Sequence, residues 1–238
     1  MKPHRFIGNF DLTEKQLLFR DPELVNQMYR VLRVHAGDQV ILGDGNLNEA
    51  VAEVRQVSKN FILVALRERS LNVIEPKIYV QLYCSVLKRE NFEMVVQKAT
   101  EIGVKEIIPV KTRKTVKFGM KEERLKKIAK EAAEQCGRGM VPTVHKPIGF
   151  ADAVEDAKKN DINFFFDASG EDFKIAAGSK KEIARAGVFV GSEGGWDEAE
   201  INAVKQNGFH IIGLGKLTFR AETAAMIASY LVLSAYRV

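Results

Sequence analysis

The stretch that decides the fold lies in the last quarter of the chain, where two apolar runs each end in glycines. The first reads Val188-Phe189-Val190-Gly191-Ser192-Glu193-Gly194-Gly195-Trp196, and the second reads Ile211-Ile212-Gly213-Leu214-Gly215-Lys216-Leu217-Thr218-Phe219-Arg220-Ala221-Glu222. In an α/β sheet, the loops at the carboxyl ends of the strands form the ligand crevice. Glycines leave the backbone of such loops bare, so its amides and carbonyls can contact a flat ligand directly. The two loops and the charged side chains among them therefore predict a ligand site.

The familiar glycine-rich phosphate loops do not explain this pattern. No Gly-Lys-Ser or Gly-Lys-Thr follows at the spacing that a nucleoside triphosphatase requires. Gly213-Leu214-Gly215 lacks the third glycine of the dinucleotide fingerprint, and it lies too near the C-terminus to begin a dinucleotide-binding fold. From the residues alone, the remaining alternative is that the glycines only form tight turns.

Both glycine loops resemble the cofactor-loop motifs of the RsmE family, at residues 191–195 and 214–224. Members of that family are bacterial methyltransferases that modify N3 of a uridine in 16S ribosomal RNA. They belong to the SPOUT superfamily, in which the C-terminal chain forms a trefoil knot around S-adenosylmethionine. The family usually has proline where this chain has Ser192, a difference that removes no functional group. Further similar motifs at residues 29–38 and 88–109 extend the resemblance over nearly the whole chain.

The resemblance implies a fold, a reaction and an assembly. It implies a SPOUT-type α/β knotted methyltransferase domain over residues 73–238, preceded by a small PUA-like β-barrel that binds RNA over residues 1–72. The implied cofactor is S-adenosylmethionine, the implied partner is 16S ribosomal RNA in the small ribosomal subunit, and the implied assembly is a homodimer. Two other functions stay open: a 2′-O-ribose methyltransferase of the same superfamily acting on tRNA or rRNA, and a non-catalytic RNA-binding factor for ribosome assembly.

The candidate catalytic residues are Arg220, Glu193 and Glu222. The N3 proton must leave before the nitrogen can attack, and negative charge then spreads onto the uracil carbonyls. A guanidinium suits such an anion because it is planar, forked and permanently charged. Arg220 directly follows the second loop and is expected to carry this role. The two carboxylates are expected to orient Arg220, hold ribose hydroxyls or accept the proton. The candidate cofactor-binding residues all belong to the two loops: Val190, Gly191, Glu193, Gly194, Gly195, Gly213, Leu214, Gly215, Leu217, Thr218 and Phe219.

The candidate RNA-binding residues are basic side chains in both halves of the chain. The family carries arginines at the positions of Arg113 and Arg138, whereas Lys114 and Lys117 in the same basic segment are supported by charge alone. The full candidate set is Arg5, Arg30, Arg33, Lys88, Arg113 and Arg138. Contacts of this kind are expected to be mainly with phosphates, which position RNA without reading its sequence.

Composition limits the remaining possibilities. The chain has 238 residues and a formal net charge of +5, a mild basic bias that permits a polyanionic partner. Its two cysteines and four histidines are scattered, so no metal site is predicted. With no signal peptide and no long apolar run, the sequence predicts a cytoplasmic protein without membrane contact.

The local pattern changes near residues 72–77 from short strands to alternating strands and helices. Such alternation predicts an open α/β sheet of mostly parallel strands. Asp21-Pro22 predicts one helix start, Asp197 with Glu200 predicts another, and Gly103 predicts a helix end. Nothing in the periodicity indicates a knot, which enters through the resemblance only.

Overall fold

The computed structural model describes residues 3–115, 119–173, 178 and 182–236, which divide into two compact units. The first unit comprises Met1–Glu75 and Ala133–Val141, and the second comprises Pro76–Ala132 and Pro142–Val238. Lys117 lies outside the described residues. No helix among the described residues is long and apolar enough to cross a membrane.

The first unit is built on a five-stranded sheet of order β1-β3-β4-β5-β2, in which only the β1–β3 pair is parallel. Its strands are β1 (His4–Ile7), β2 (Gln16–Phe19), β3 (Gln39–Gly43), β4 (Asn48–Val57) and β5 (Ile62–Leu71). Helix α1 (Pro22–Asn26) begins as predicted, because the Asp21 side chain accepts a hydrogen bond from Leu24 N–H at 2.8 Å and Pro22 opens the first turn. A π-helical turn, Gln27–Val31, follows it and places Met28 in the core.

Residues 133–141 complete the first unit from far along the chain. Glu134 accepts a hydrogen bond from Ile7 N–H at 2.8 Å, and the Asn72 side chain donates to the Gly137 carbonyl at 2.9 Å. These are pairings across more than sixty residues of sequence. No local pattern indicates them, so the sequence alone did not predict this contribution.

The second unit is a seven-stranded sheet whose described strand pairs are all parallel. The order is β12-β10-β11-β6-β7-β8, and β9 also pairs with β7. The strands are β6 (Tyr79–Ser85), β7 (Glu106–Lys111), β8 (Thr143–Val144), β9 (Ile148–Gly149), β10 (Ile162–Asp172), β11 (Arg185–Val190) and β12 (His210–Gly213). The helices along this part of the chain are α2 (Arg89–Ile102), α3 (Glu122–Cys136), α4 (Phe150–Asp156), α5 (Glu198–Gln206) and α6 (Ala221–Ala235). The parallel α/β architecture confirms the prediction.

Helix boundaries in the second unit follow the predicted signals. Gly103 ends α2 with a φ of 110°, a left-handed conformation that glycine adopts without steric cost. Asp197 and Glu200 form a reciprocal capping box at the start of α5. Aromatic side chains fill the core beside the sheet, and Tyr83 stacks on Phe189 with ring centroids 4.3 Å apart.

Strand β10 touches β12 twice. Phe166 and, after a break in register, Glu171 both lie opposite Ile212. Residues 167–170 interrupt the regular pairing of the two strands and form a bulge in β10. At Gly170, the backbone of this bulge lies directly against the backbone of β12. A Cβ atom at Gly170 would be 2.3 Å from the Ile212 carbonyl carbon and 2.5 Å from the Gly213 nitrogen. Only glycine fits this backbone crossing.

A polar network occupies the amino ends of the strands. Glu106 accepts hydrogen bonds from the Tyr79 hydroxyl at 2.6 Å and pairs with His145 Nε2 at 2.7 Å. The Arg185 guanidinium lies 4.1 Å from the centre of the Tyr79 ring. Burial, and then Glu106, raise the pKa of Tyr79 to about 12, so its hydroxyl stays protonated and remains a donor. Burial opposes ionisation of Glu106, but hydrogen bonds, led by that of Tyr79, outweigh it and lower the pKa of Glu106.

This network is expected to make the second unit sensitive to acid. The pKa of Glu106 is lowered only in the folded chain, and it returns to about 4.3 on unfolding. Its stabilising contribution is therefore complete above the unfolded value and is lost as pH falls through the folded value. We expect the free energy of unfolding to depend less on pH, between about 5 and 3, in Glu106→Gln than in the wild type.

Urea titrations followed by the fluorescence of Trp196 measure this difference, because Trp196 is the only tryptophan and belongs to the second unit. Glu155→Gln is the matched control, since Glu155 is exposed and Lys158 is its one ion-pair partner among the described residues. It should leave the pH dependence unchanged. An unchanged dependence in Glu106→Gln would contradict the network's role.

Candidate active site

A cavity of about 860 Å³ opens at the carboxyl ends of β10, β11 and β12. Both glycine loops line it, so two segments separated by an entire helix in sequence form one site. The predicted cofactor-binding residues that line the cavity are Val190, Gly191, Glu193, Gly194, Gly195, Leu214, Gly215, Leu217, Thr218 and Phe219. Gly213 does not line it, because this residue packs against the Gly170 carbonyl where β10 and β12 approach each other.

A third wall comes from the end of β10. Phe166, Asp167 and Ala168 line the cavity there. The indole of Trp196 forms part of the first loop's wall and donates a hydrogen bond to the Phe166 carbonyl at 2.9 Å. Trp196 is not among the cofactor-binding residues predicted from the sequence. Its position directly after the first glycine loop could have indicated that it lines the same cavity.

Arg220 stands at the rim of the cavity as the residue that precedes α6. It lines the cavity and is exposed, and its backbone carbonyl accepts from Ala224 N–H at 2.8 Å. Among the described residues, no carboxylate pairs with its guanidinium. Glu193 and Glu222 were expected to orient Arg220, but neither carboxylate contacts its guanidinium among the described hydrogen bonds and ion pairs. The guanidinium is available for an anionic ligand.

The two candidate carboxylates differ sharply in environment. Glu193 lines the cavity, is exposed, and receives one hydrogen bond from the Asn91 side chain at 3.4 Å. Glu222 lies in the first turn of α6 but is buried, is absent from the cavity lining, and leaves its Oε2 without a hydrogen-bond partner among the described residues. Of these two glutamates, only Glu193 can contact a molecule in the cavity directly.

Cys84 is a buried core thiol whose pKa is affected by both of these carboxylates. It is fully buried at the end of β6. Burial, followed by the negative charges of Glu193 and Glu222, raises the pKa of its thiol far above the ordinary value. A thiol kept protonated in this way is not a nucleophile.

Two of the predicted RNA-binding arginines are held in buried ion pairs. Arg138 is 4% exposed and donates to both carboxylate oxygens of Glu75 at 2.9 Å. Arg5 pairs with Glu49, and both side chains are nearly buried. A phosphate would have to displace a buried partner in each case, which is strongly unfavourable. Both ion pairs lie within the first unit, so the predicted RNA contacts of Arg5 and Arg138 stay predictions that would require these pairs to open.

Arg30 and Arg33 lie on the surface of the first unit, as an RNA contact requires. They line a concavity of about 760 Å³ together with Tyr29 and Arg55. Arg33 adopts a φ of 52°, a strained value for a side chain of this size. A second concavity shares Arg30 and adds two cations that sequence reasoning missed: Arg20 and Lys59.

Lys88 and Arg113 lie in the second unit. Lys88 is exposed and precedes the first turn of α2. Arg113 is exposed too, but its guanidinium already donates to Asp197 Oδ1 at 3.0 Å. The chain segments that the structure describes hold no cluster of three His, Cys, Asp or Glu residues able to bind a metal ion.

Comparison with known proteins identifies the family. A family described as "RNA methyltransferase domain" matches residues 74–233, and one described as "RNA methyltransferase PUA domain" matches residues 21–67. A ribosomal RNA small subunit methyltransferase E from Rickettsia conorii is 30% identical over 96% of this chain and 94% of its own. The chain belongs to this methyltransferase E family.

Solved structures of similar proteins have the same fold as this chain. The methyltransferase E of Neisseria gonorrhoeae, bound to S-adenosylmethionine, superposes with a TM-score of 0.87 at 26% identity and 98% coverage of both chains. A methyltransferase of Legionella pneumophila, also with bound S-adenosylmethionine, gives a TM-score of 0.88 at 26% identity, with 99% of this chain and 98% of that chain covered. The predicted resemblance and the SPOUT-type fold with a PUA-like domain before it are therefore confirmed.

Proposed function

We propose that the chain methylates N3 of a uridine in 16S ribosomal RNA of the small subunit, with S-adenosylmethionine as cofactor. The observation that carries the proposal is the single cavity formed by both glycine loops, with Arg220 at its rim and no carboxylate of the described residues paired with it. Relatives named for small-subunit ribosomal RNA methylation support the substrate, and two similar structures with bound S-adenosylmethionine support the cofactor. The choice of N3 rests on the family resemblance.

The residues present fit the cofactor. A cavity of about 860 Å³ is of a size that holds drug-sized ligands, and its backbone-lined loops offer amides and carbonyls to an adenosine group. Gly191, Gly195, Leu214 and Gly215 would supply most of these groups. When bound, S-adenosylmethionine supplies an electrophilic methyl group. Much of the rate enhancement then comes from how the protein positions the uridine beside it.

The protein must also remove the N3 proton and stabilise the charge that develops. Arg220 would hold the negative charge on a uracil carbonyl oxygen, and a preorganised donor of this kind often makes the largest single contribution to rate. Glu193 would accept the proton, because it lines the cavity and is exposed whereas Glu222 is buried outside it. Asn91 donates to Oε1 of Glu193, which leaves Oε2 for the proton.

RNA binding is proposed for both parts of the chain. We assign residues 1–72 to a PUA-like RNA-binding domain and residues 73–238 to the methyltransferase domain. On the first unit, Arg30 and Arg33 carry the proposal, since no acidic side chain among the described residues pairs with either. On the second unit, Lys88 and Arg113 remain proposed contacts.

A homodimer acting in the cytoplasm completes the proposal. The second unit leaves large apolar side chains exposed: Met94, Leu217 and Tyr230. The homodimer itself rests on the family resemblance, and these side chains are candidates for the contact. Sedimentation of the purified protein tests this assembly, and a monomer at micromolar concentration would contradict it.

Methyl transfer onto small ribosomal subunits that lack the modification is the decisive experiment. The modified nucleoside is then isolated and fragmented in a mass spectrometer, which separates a methylated base from a methylated ribose. We expect the label on the base. A methylated ribose would support the 2′-O alternative, and no transfer despite cofactor binding would support an RNA-binding factor.

Cofactor binding itself is expected to be independent of metal. Calorimetry with S-adenosylhomocysteine should give the same affinity with and without excess chelator, because the proposed contacts come from backbone and side-chain groups alone. Quenching of Trp196, which lines the cavity, provides a second measure. A loss of binding in chelator would contradict this site chemistry.

A further inference from the structure

The turn after β7 is closed by hydrogen bonds between its own residues. Thr115 N–H donates to the Thr112 carbonyl at 3.1 Å, and Thr112 N–H donates to Thr115 Oγ1 at 2.9 Å. The Ser85 hydroxyl donates to Thr112 Oγ1 at 3.3 Å and so anchors the turn to the end of β6. Lys114 therefore lies in the middle of a hydrogen-bonded turn.

Lys114 contacts both ends of the first glycine loop. Its Nζ donates to the Trp196 carbonyl at 2.7 Å, and its own carbonyl accepts from the Ser192 hydroxyl at 3.3 Å. Between these ends, the loop is closed by a hydrogen bond from Gly195 N–H to the Ser192 carbonyl at 2.8 Å. One residue outside the loop therefore braces it at two points.

Gly194 makes this contact possible. A Cβ atom there would lie 3.3 Å from Lys114 Cβ and 3.4 Å from its Cδ, so the glycine rests on the aliphatic stem of the lysine. Gly194 thus faces the turn with the side where a side chain would project, while its backbone lines the cavity. Gly194 therefore both packs against Lys114 and lines the cavity.

The neighbouring residue extends the same brace to α5. Arg113 N–H donates to Glu200 Oε1 at 2.9 Å, and its guanidinium donates to Asp197 Oδ1. Asp197 and Glu200 are the two residues of the capping box that begins α5. The turn therefore holds the loop and the helix that leaves it as one piece.

We propose that Lys114 is a positioning residue that holds the first glycine loop in its cofactor-binding shape. The inference rests on the proposed cofactor site. Proline, which the family usually has at position 192, restrains the backbone through its ring. This chain has Ser192, and its hydroxyl donates to the Lys114 carbonyl. A loop fixed before binding loses less conformational entropy when the ligand arrives, and this raises affinity.

The test compares Lys114→Met with the wild type. Methionine keeps most of the stem but cannot donate to Trp196, and loss of a hydrogen bond from a charged group corresponds to about a tenfold weaker affinity for S-adenosylhomocysteine. The KM for S-adenosylmethionine should rise by about the same factor, while kcat at saturation stays near normal, because bound cofactor restores the loop. Lys114→Arg keeps a donor and should recover most of the affinity.

Two further variants separate bracing from loss of charge or fold. Lys111→Met removes an exposed cation near the same turn and should leave cofactor affinity unchanged, since no hydrogen bond or ion pair among the described residues joins its side chain to the loop. Ser192→Pro removes the hydroxyl that donates to Lys114 but adds the restraint of the proline ring, so it should restore affinity in Lys114→Met, and such non-additivity reports direct coupling. Melting temperatures recorded for every variant show whether a loss of affinity is only a loss of folded protein.

The outcomes are distinct. Equal affinities of the wild type and Lys114→Met, or additive effects of Lys114→Met and Ser192→Pro, would overturn the role of Lys114. A fall in kcat without a change in KM would do the same. Failure of the wild type to bind S-adenosylhomocysteine would instead refute the proposed cofactor site.

Discussion

Replacing Arg220 with alanine is expected to slow single-turnover methylation about 10²–10³-fold while changing the affinity for S-adenosylhomocysteine little. The guanidinium lines the cavity without a carboxylate partner among the described residues, so it is free to face charge that develops on the uridine. An interaction that forms mainly in the transition state affects turnover more than ground-state binding.

Arg220→Lys is the informative companion variant. Lysine keeps the positive charge but not the planar fork, so rescue should be poor. Lys216→Met removes a neighbouring exposed cation of the same loop and reports what charge alone contributes. Near-normal turnover in Arg220→Ala would refute the proposed role, and a turnover loss matched by lost cofactor affinity would make Arg220 a binding residue.

Gly170→Ala is expected to destabilise the second unit by about 3 kcal/mol or more, with a fall in melting temperature of roughly 10 °C. The added methyl group would meet backbone atoms of Ile212 and Gly213 at 2.3–2.5 Å. Backbone in a paired strand cannot move aside as a side chain can, so β10 and β12 must separate. The cavity wall at Asp167 and Ala168 belongs to the same bulge, and cofactor affinity should fall as well.

Calorimetric melting together with Trp196 fluorescence measures this effect in the second unit. Gly119→Ala is the matched control, because no heavy atom of the described residues, its chain neighbours aside, lies within 4 Å of the position that its Cβ would occupy. It should melt like the wild type. A wild-type melting temperature for Gly170→Ala would show that the crossing tolerates a side chain, contrary to the geometry.

Local structure was largely predictable from the sequence. The Asp21 and Asp197 caps, the Gly103 helix end and the parallel α/β arrangement all follow from short-range patterns, which act through hydrogen bonds within a few residues. The two glycine loops were also readable, because both follow strands of one sheet, and parallel strands bring their carboxyl ends to one edge.

Long-range pairings were not predictable in this way. Arg138 has the same local signature as a phosphate-binding arginine, but its partner Glu75 lies 63 residues earlier in the chain. Gly170 sits in a stretch without any unusual pattern, and only the approach of β12 makes it necessary. Glu222 and Glu193 are both acids beside a glycine loop, and burial alone separates them.

The contribution of residues 133–141 to the first unit has a consequence for protein synthesis. The amino-terminal sheet is translated early, but the Gly137 carbonyl that pairs with Asn72 and the guanidinium that neutralises Glu75 appear only some sixty residues later. At about 5–20 residues per second, the ribosome needs several seconds to supply them. The nascent amino-terminal unit must wait for that interval without the Arg138–Glu75 ion pair, so its folding is completed only after the first strands and helices of the second unit have been made.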